Sequence, residues 1–250
     1  MATAITKSKI FEVFESGRER SRKLYTLNLF PGKSVYGESL IKENGAEYRQ
    51  WDPFKSKLAS SILKGCPNIF IRNGDVVLYL GASTGTTVSH VSDIVGEKGF
   101  IFAVDIAPRV VRDLVFLCYE RKNIAPILAD ASQTKNLAGR ISKVDVLYQD
   151  VAQKGQIDIF LKNTAEFLKE GGYAILAVKS RSIDVIKRPR DIFNIVRKEI
   201  EKHLTIIDYR ELEPFQKDHA VFFCKKSEEC ISLKKNKHSK GYGDESSIIL

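Results

Sequence analysis

The sequence predicts a doubly wound α/β sheet, with a small antiparallel β unit ahead of it and an antiparallel hairpin at its end. Three observations predict this. From residue 75 onward, short apolar runs alternate with amphipathic stretches, the pattern of βα units around a mainly parallel sheet. The first run ends in a glycine-rich turn that opens directly into a helix, Gly81-Ala-Ser-Thr-Gly85-Thr86-Thr87. The next three runs close on acids, Asp105, Asp130 and Asp150. A chain of 250 residues with 43% hydrophobic side chains can bury the core of one such domain and a smaller appendage.

Taken in order, residues 8–50 read as extended runs over 9–14 and 23–28, then 40–42 paired with 47–49 through Asn44-Gly45. Both turn positions tolerate a positive φ, which a tight hairpin needs. Asp52-Pro53 supplies an N-cap and a first helical position for a helix that continues through 57–63 and stops at Gly65. Strands follow over 75–80, 100–104, 124–128, 144–148 and 173–178. Between them lie helices with apolar residues three and four apart, such as Val88, Val91 and Val95, or Ile192, Val196 and Ile200. A last pair of runs, 205–209 and 220–224, has room for a hairpin at one sheet edge. The expected divisions are a small β domain over 1–52, the α/β domain over 53–225, and a flexible basic tail over 226–250.

Composition narrows the function classes. Forty Lys and Arg against 31 Asp and Glu leave a net charge of +9, which favours a polyanionic partner. The tail adds little of it, since residues 225–250 hold six lysines but also four acids. No N-terminal apolar segment resembles a signal peptide and no run approaches the roughly 20 residues of a membrane span, so a soluble protein without a membrane partner is expected. Cys66, Cys118, Cys224 and Cys230 lack C-x-x-C spacing. They read as reduced intracellular thiols, with neither a disulfide framework nor a metal site.

The Gly81–Gly85 loop lets backbone approach a ligand and aims helix N-terminal amides at it. A dinucleotide fingerprint needs G-x-G-x-x-G, but Ser83 and Thr86 occupy the second and third glycine places. The loop suits instead the methionine end of S-adenosylmethionine. Asp105 stands where an acid can accept hydrogen bonds from both ribose hydroxyls of an adenosine. Asp130 stands where a carboxylate can accept from an adenine amino group while the next amide reads a ring nitrogen. Any one strand-end acid is commonly just a helix cap; three in register with a glycine loop point to a ligand. Lys179 ends the fifth run, where desolvation calls for a partner, and Asp150 on the neighbouring strand is the natural one. His90 reads as a packing or hydrogen-bonded residue rather than a ligand, and His203 and His238 as solvated.

Longer runs carry a resemblance. Tyr36-Gly-Glu38, the decapeptide from Tyr48 to Lys57, the loop from Leu78 to Thr87, Asp150-Val-Ala-Gln153, Val178-Lys-Ser-Arg-Ser-Ile-Asp-Val185 and Glu213-Pro-Phe-Gln-Lys-Asp-His-Ala220 resemble fibrillarin. The resemblance spans residues 35–223. It implies a Rossmann-like class I methyltransferase fold and S-adenosylmethionine-dependent 2′-O-methylation of ribose in rRNA, with tRNA as a further substrate, directed by box C/D guide RNA. It further implies a catalytic set of Lys57, Asp150, Lys179 and His219. Its cofactor contacts would be Gly81, Gly85, Thr86, Thr87, Asp105, Ile106, Asp130, Ala131, Asp150, Val151, Ala152 and Gln153. The implied partners are the guide and target RNAs, a Nop-family scaffold and a kink-turn-binding ribosomal-type protein. The sequence departs from the family in carrying Asp105 where Glu is usual and Lys154 where Pro is usual. Without a Gly/Arg-rich extension it looks like the archaeal, cytoplasmic form; a eukaryotic source would make it nucleolar.

A ribose hydroxyl is a very weak acid, so methyl transfer must raise its nucleophilicity and align it for displacement. Two ammonium groups close together stabilise a developing alkoxide, and their mutual repulsion favours proton loss from one. Lys57 and Lys179 are therefore expected to activate the hydroxyl, Asp150 to hold the lysines and His219 to position the nucleotide. A catalytically silent RNA-binding module would have no need of these four residues, and a nicotinamide-dependent oxidoreductase lacks its glycines.

Overall fold

The computed structural model describes residues 4–18 and 21–227. The tail expected over 226–250, with Cys230 and His238, lies almost wholly outside the described residues.

The N-terminal unit is a five-stranded antiparallel sheet ordered β1-β2-β3-β5-β4, built from β1 Thr6–Lys7, β2 Val13–Ser16, β3 Lys23–Leu27, β4 Leu40–Glu43 and β5 Ala46–Trp51. Asn44 (φ 51°) and Gly45 (φ 77°) make the expected left-handed hairpin turn between β4 and β5. The run expected over 9–14 is instead a turn with Glu12 at φ 53°, and the strand starts only at Val13. Asp52-Pro53 also does not start the helix. Asp52 caps a preceding turn, accepting from the amide of Phe54 at 2.8 Å, and α1 is Lys57–Leu63 with Ser56 as its N-cap. Ser56 competes successfully because its hydroxyl accepts from the amide of Ala59, the reach an N-cap requires.

The second sheet has seven strands in the order β11-β12-β10-β9-β6-β7-β8. They are β6 Val76–Leu80, β7 Phe100–Asp105, β8 Ile124–Leu128, β9 Val144–Gln149, β10 Leu168–Lys179, β11 Thr205–Glu211 and β12 His219–Lys225. β10 through β8 run parallel, and β11 and β12 form the antiparallel edge. Helices α2 Thr86–Val95, α3 Pro108–Cys118, α4 Thr134–Leu137, α5 Gln156–Phe167, α6 Ser180–Ile183 and α7 Pro189–Ile200 complete the fold. Strand alternation divides the core. Val77 and Tyr79 of β6 join α1, α2 and the N-terminal Ile10, Val13, Leu24 and Trp51. Leu78 and Leu80 join α5 and α7 on the opposite face. Chain order reverses between β6 and β9, which makes their carboxyl ends the topological switch point where such sheets bind ligands.

His90 on α2 is fully buried, stacked on Trp51 and bonded to Thr26 Oγ1 and the Tyr36 hydroxyl, each at 2.8 Å. Among the described residues no helix is long and apolar enough to cross a membrane, and no cluster of His, Cys, Asp and Glu could hold a metal. Cys66, Cys118 and Cys224 are unpaired, and burial raises each thiol pKa.

Candidate active site at the carboxyl edge of the sheet

β6 ends in Gly81, whose φ of +82° excludes most side chains and whose position excludes any: a Cβ there would lie 2.4 Å from the Asp150 carbonyl oxygen. The glycine turn therefore packs directly on the end of β9. Gly81 and Ala82 amides donate to Val104 O at 2.9 and 3.0 Å, and the Asp150 amide donates to Leu80 O at 2.8 Å. Three strand ends are thereby stitched around one point.

Asp105 is tied into the same frame. Its carboxylate accepts from the Ser83 amide at 2.8 Å and the Ala107 amide at 3.0 Å, linking the glycine loop to the start of α3. Each oxygen retains a lone pair for a further donor. Asp130 accepts from the Ser132 amide at 2.8 Å. Between these acids opens a cleft of about 200 Å³. All the residues expected for the cofactor line it except Gly85, Thr86 and Thr87, which lie at the start of α2; the Thr87 hydroxyl donates to Ser56 Oγ at 3.0 Å. Val104 and Ala129 also line the cleft. They were not singled out in the sequence, although both immediately precede a strand-end acid. Ile106 leaves 53% of its surface exposed there, an apolar wall of the cleft.

Beside the cleft the four expected catalytic residues meet, but not in the expected pairing. Asp150 Oδ2 bonds Lys57 Nζ at 2.7 Å, with both side chains about one-fifth exposed, and not Lys179. The desolvation argument for Lys179 fails because the side chain is exposed at the end of β10. Lys57, first in α1, overhangs the strand ends and takes the carboxylate. Lys179 lies opposite His219 in the β10–β12 ladder. Since a carbonyl only accepts, the 2.6 Å bond between His219 Nδ1 and Lys217 O fixes the proton on Nδ1 and leaves Nε2 its lone pair. Burial lowers the His219 pKa; the Lys217 carbonyl and Asp150 oppose this, and Lys57 and Lys179 reinforce it. The imidazole is neutral at physiological pH.

Two supports escaped the sequence reading. Asp218, at φ 60°, accepts from Arg181 Nε at 3.3 Å through its carboxylate and from the Ser180 amide and hydroxyl through its carbonyl, which pins the β12 start against α6. Tyr79 and Tyr148 stack with centroids 4.5 Å apart on the last turns of β6 and β9. Their alternation reads only as core, so no sequence signal marks them.

A family model described as Fibrillarin matches residues 5–228. The fibrillarin-like rRNA/tRNA 2′-O-methyltransferase of Thermococcus gammatolerans is 50% identical over 206 residues, covering 82% of this chain and 91% of the relative. That of Methanocaldococcus jannaschii is 46% identical over 220 residues, 86% of this chain and 95% of its own. Among solved structures, the Methanococcus jannaschii fibrillarin pre-rRNA processing protein superposes with a TM-score of 0.86 at 43% identity, covering 90% of this chain and 98% of that one. Aeropyrum pernix fibrillarin with natively bound S-adenosyl-L-methionine gives 0.82 at 40% identity, with 90% and 99% covered. A fibrillarin/Nop5p complex gives 0.79 at 39% identity, with 88% and 100% covered.

Proposed function

Because the chain belongs to the fibrillarin family, we infer that it methylates ribose 2′-hydroxyls of rRNA and tRNA with S-adenosylmethionine. The observation that carries this is the convergence of Lys57, Asp150, Lys179 and His219 beside the cleft between Asp105, Asp130 and Asp150.

The cleft fits the cofactor on its own chemistry. The Gly81 backbone lines the cleft, Asp105 and Asp130 keep acceptor capacity for ribose hydroxyls and an adenine amine, and exposed Ile106 offers an apolar face to a purine. When bound, S-adenosylmethionine supplies an electrophilic methyl group. The protein's residues prepare the nucleophile. Asp150 orients the Lys57 ammonium, and the Lys57 and Lys179 side chains would stabilise the oxygen as its proton passes to the Nε2 lone pair of His219. His219 offers its Nε2 lone pair to the nucleotide, holding the hydroxyl in place for displacement.

RNA and a Nop-family scaffold are the partners of this activity. A box C/D guide RNA and a kink-turn-binding protein complete the proposal, because the chain has basic residues suited to phosphate contacts and no recognisable module that reads bases. The test is a transfer assay on a guide-complementary RNA, with the chain alone and with the reconstituted particle. Primer extension at low nucleotide concentration would map the product. We expect cofactor binding by the chain alone and single-site methylation only by the particle. Efficient single-site methylation by the isolated chain would overturn the guided reading.

A further inference from the structure

Phe54 leaves 64% of its surface exposed, yet the backbone beneath it is firmly held. Its amide donates to Asp52 Oδ1 at 2.8 Å, and its carbonyl accepts from Gln216 Nε2 at 2.6 Å. Gln216 donates also to the Pro53 carbonyl, at 3.2 Å. The Phe215 ring stands edge-to-face against Phe54, with centroids 5.4 Å apart and planes at 69°. These bonds fix the backbone, and the edge-to-face contact with Phe215 sets the ring at the surface, where most of it forgoes its burial free energy.

Its position gives the exposure a meaning. Phe54 lies three residues before Lys57, and Phe215 four residues before His219. The aromatic pair therefore bridges the two segments that bring Lys57 and His219 to the site. Lys217, exposed on the second segment, adds a cation within the same stretch for a backbone phosphate. A ribose held at Lys57 and His219 carries its base and its neighbours' bases within reach of this rim. Every nucleobase has a π face, so a stacking platform serves whatever sequence a target presents.

We propose that Phe54, braced by Phe215, stacks on a nucleobase of the RNA substrate at or next to the methylated ribose. This rests on the RNA methyltransferase reading above. Phe54 is a positioning residue, acting on the reaction through the nucleotide it holds.

The experiment uses the assembled particle and target RNAs carrying 5-iodouridine, placed in turn at the methylated nucleotide and at each neighbour. Irradiation should join one of these positions to the peptide containing Phe54, and mass spectrometry would identify it. In parallel, Phe54→Ala should raise KM for RNA by roughly 5- to 150-fold, the equivalent of the about 1–3 kcal/mol of one base–aromatic stack, while cofactor affinity stays unchanged. Phe54→Trp should restore KM, and Phe54→Leu should not. Cross-links that avoid Phe54 from every position, or rescue by leucine equal to that by tryptophan, would overturn the proposal. Loss of scaffold binding in Phe54→Ala would overturn it too, by making the ring a protein contact. A wild-type particle that cross-links through Phe54 but methylates no RNA would leave the stack standing and sink the methyltransferase reading alone.

Discussion

Lys57 and Asp150 are 93 residues apart in sequence and 2.7 Å apart in space. Asp150 is a candidate from its strand end and Lys57 only through the family resemblance; their pairing is not legible in the sequence. Strand adjacency can be read from a βα pattern, and it favoured Lys179 as the partner of Asp150; where a helix leans over the sheet edge depends on packing that no local pattern encodes. Once the pair is seen, Asp150→Asn becomes the informative substitution, since it keeps the volume and removes the charge that holds the Lys57 ammonium. Transfer should fall by about 10²- to 10³-fold, the usual loss when one preorganised electrostatic interaction is removed, in a protein that remains folded. Asp150 also lines the cofactor cleft, so this change should weaken S-adenosylmethionine binding, whereas Lys179→Ala should lower transfer and spare binding. Single-turnover rates and titration calorimetry separate the two. A near-wild-type rate in either variant would remove the role assigned to it.

Elements were legible where the apolar pattern was dense. The runs of β6 through β9, the terminal hairpin of β11 and β12, and the Asn44-Gly45 turn stand where the sequence places them. β10 begins at Leu168 rather than near Tyr173, because its first turn of chain, through exposed Lys169, Glu170 and Gly171, carries no apolar signal and meets β9 through a register shift. The start of α1 differs from the expected one because Asp52-Pro53 and Ser56 both suit a helix start, and sequence does not show that the first closes a turn of its own. The β6–α2 connection illustrates what spacing leaves out. Its glycines announce a ligand loop, but only the structure shows Gly81 pressed on the Asp150 carbonyl. Gly81→Ala must strain the left-handed backbone and push β9 away at the residue that holds Lys57. We expect a stability loss of about 1–3 kcal/mol, together with weaker cofactor binding and slower transfer. Denaturant melts and calorimetry would check it, and cofactor affinity equal to wild type would show that the contact is not needed for the site.

At the scale of the whole molecule, the N-terminal sheet is joined to the seven-stranded sheet through a buried polar cluster that composition could not reveal. Asp93 accepts from Arg49 at 2.8 Å, Arg121 at 2.7 Å and Thr26 at 2.8 Å, and Arg49 also bonds Glu38 at 2.6 Å. His90 sits among these charges. Burial lowers its pKa well below 6.5, and Arg49 and Arg121 act in the same direction. Above pH 6.5 the imidazole is neutral in the folded and unfolded chains alike, so His90 adds no pH dependence. Below 6.5 the unfolded chain takes up a proton that the folded chain refuses, and stability falls by up to about 1.4 kcal/mol per pH unit until the folded value is reached. Glu38 acts lower on the scale. Burial raises its pKa, but the Tyr36 and Val35 amides and Arg49 more than offset this, so its stabilisation is lost only below the ordinary 4.5. His219, whose pKa is lowered less and which is only half-buried, adds a smaller part of the upper window. His90→Gln keeps a side-chain amide for Thr26 or Tyr36 and removes the titration. The variant should start less stable at pH 7 and lose less on acidification to pH 5 than the wild type, measured as the change in denaturation midpoint between the two. Equal losses in both proteins would mean that the acid sensitivity of the junction resides in its carboxylates, and that the neutral imidazole between the two sheets serves packing alone.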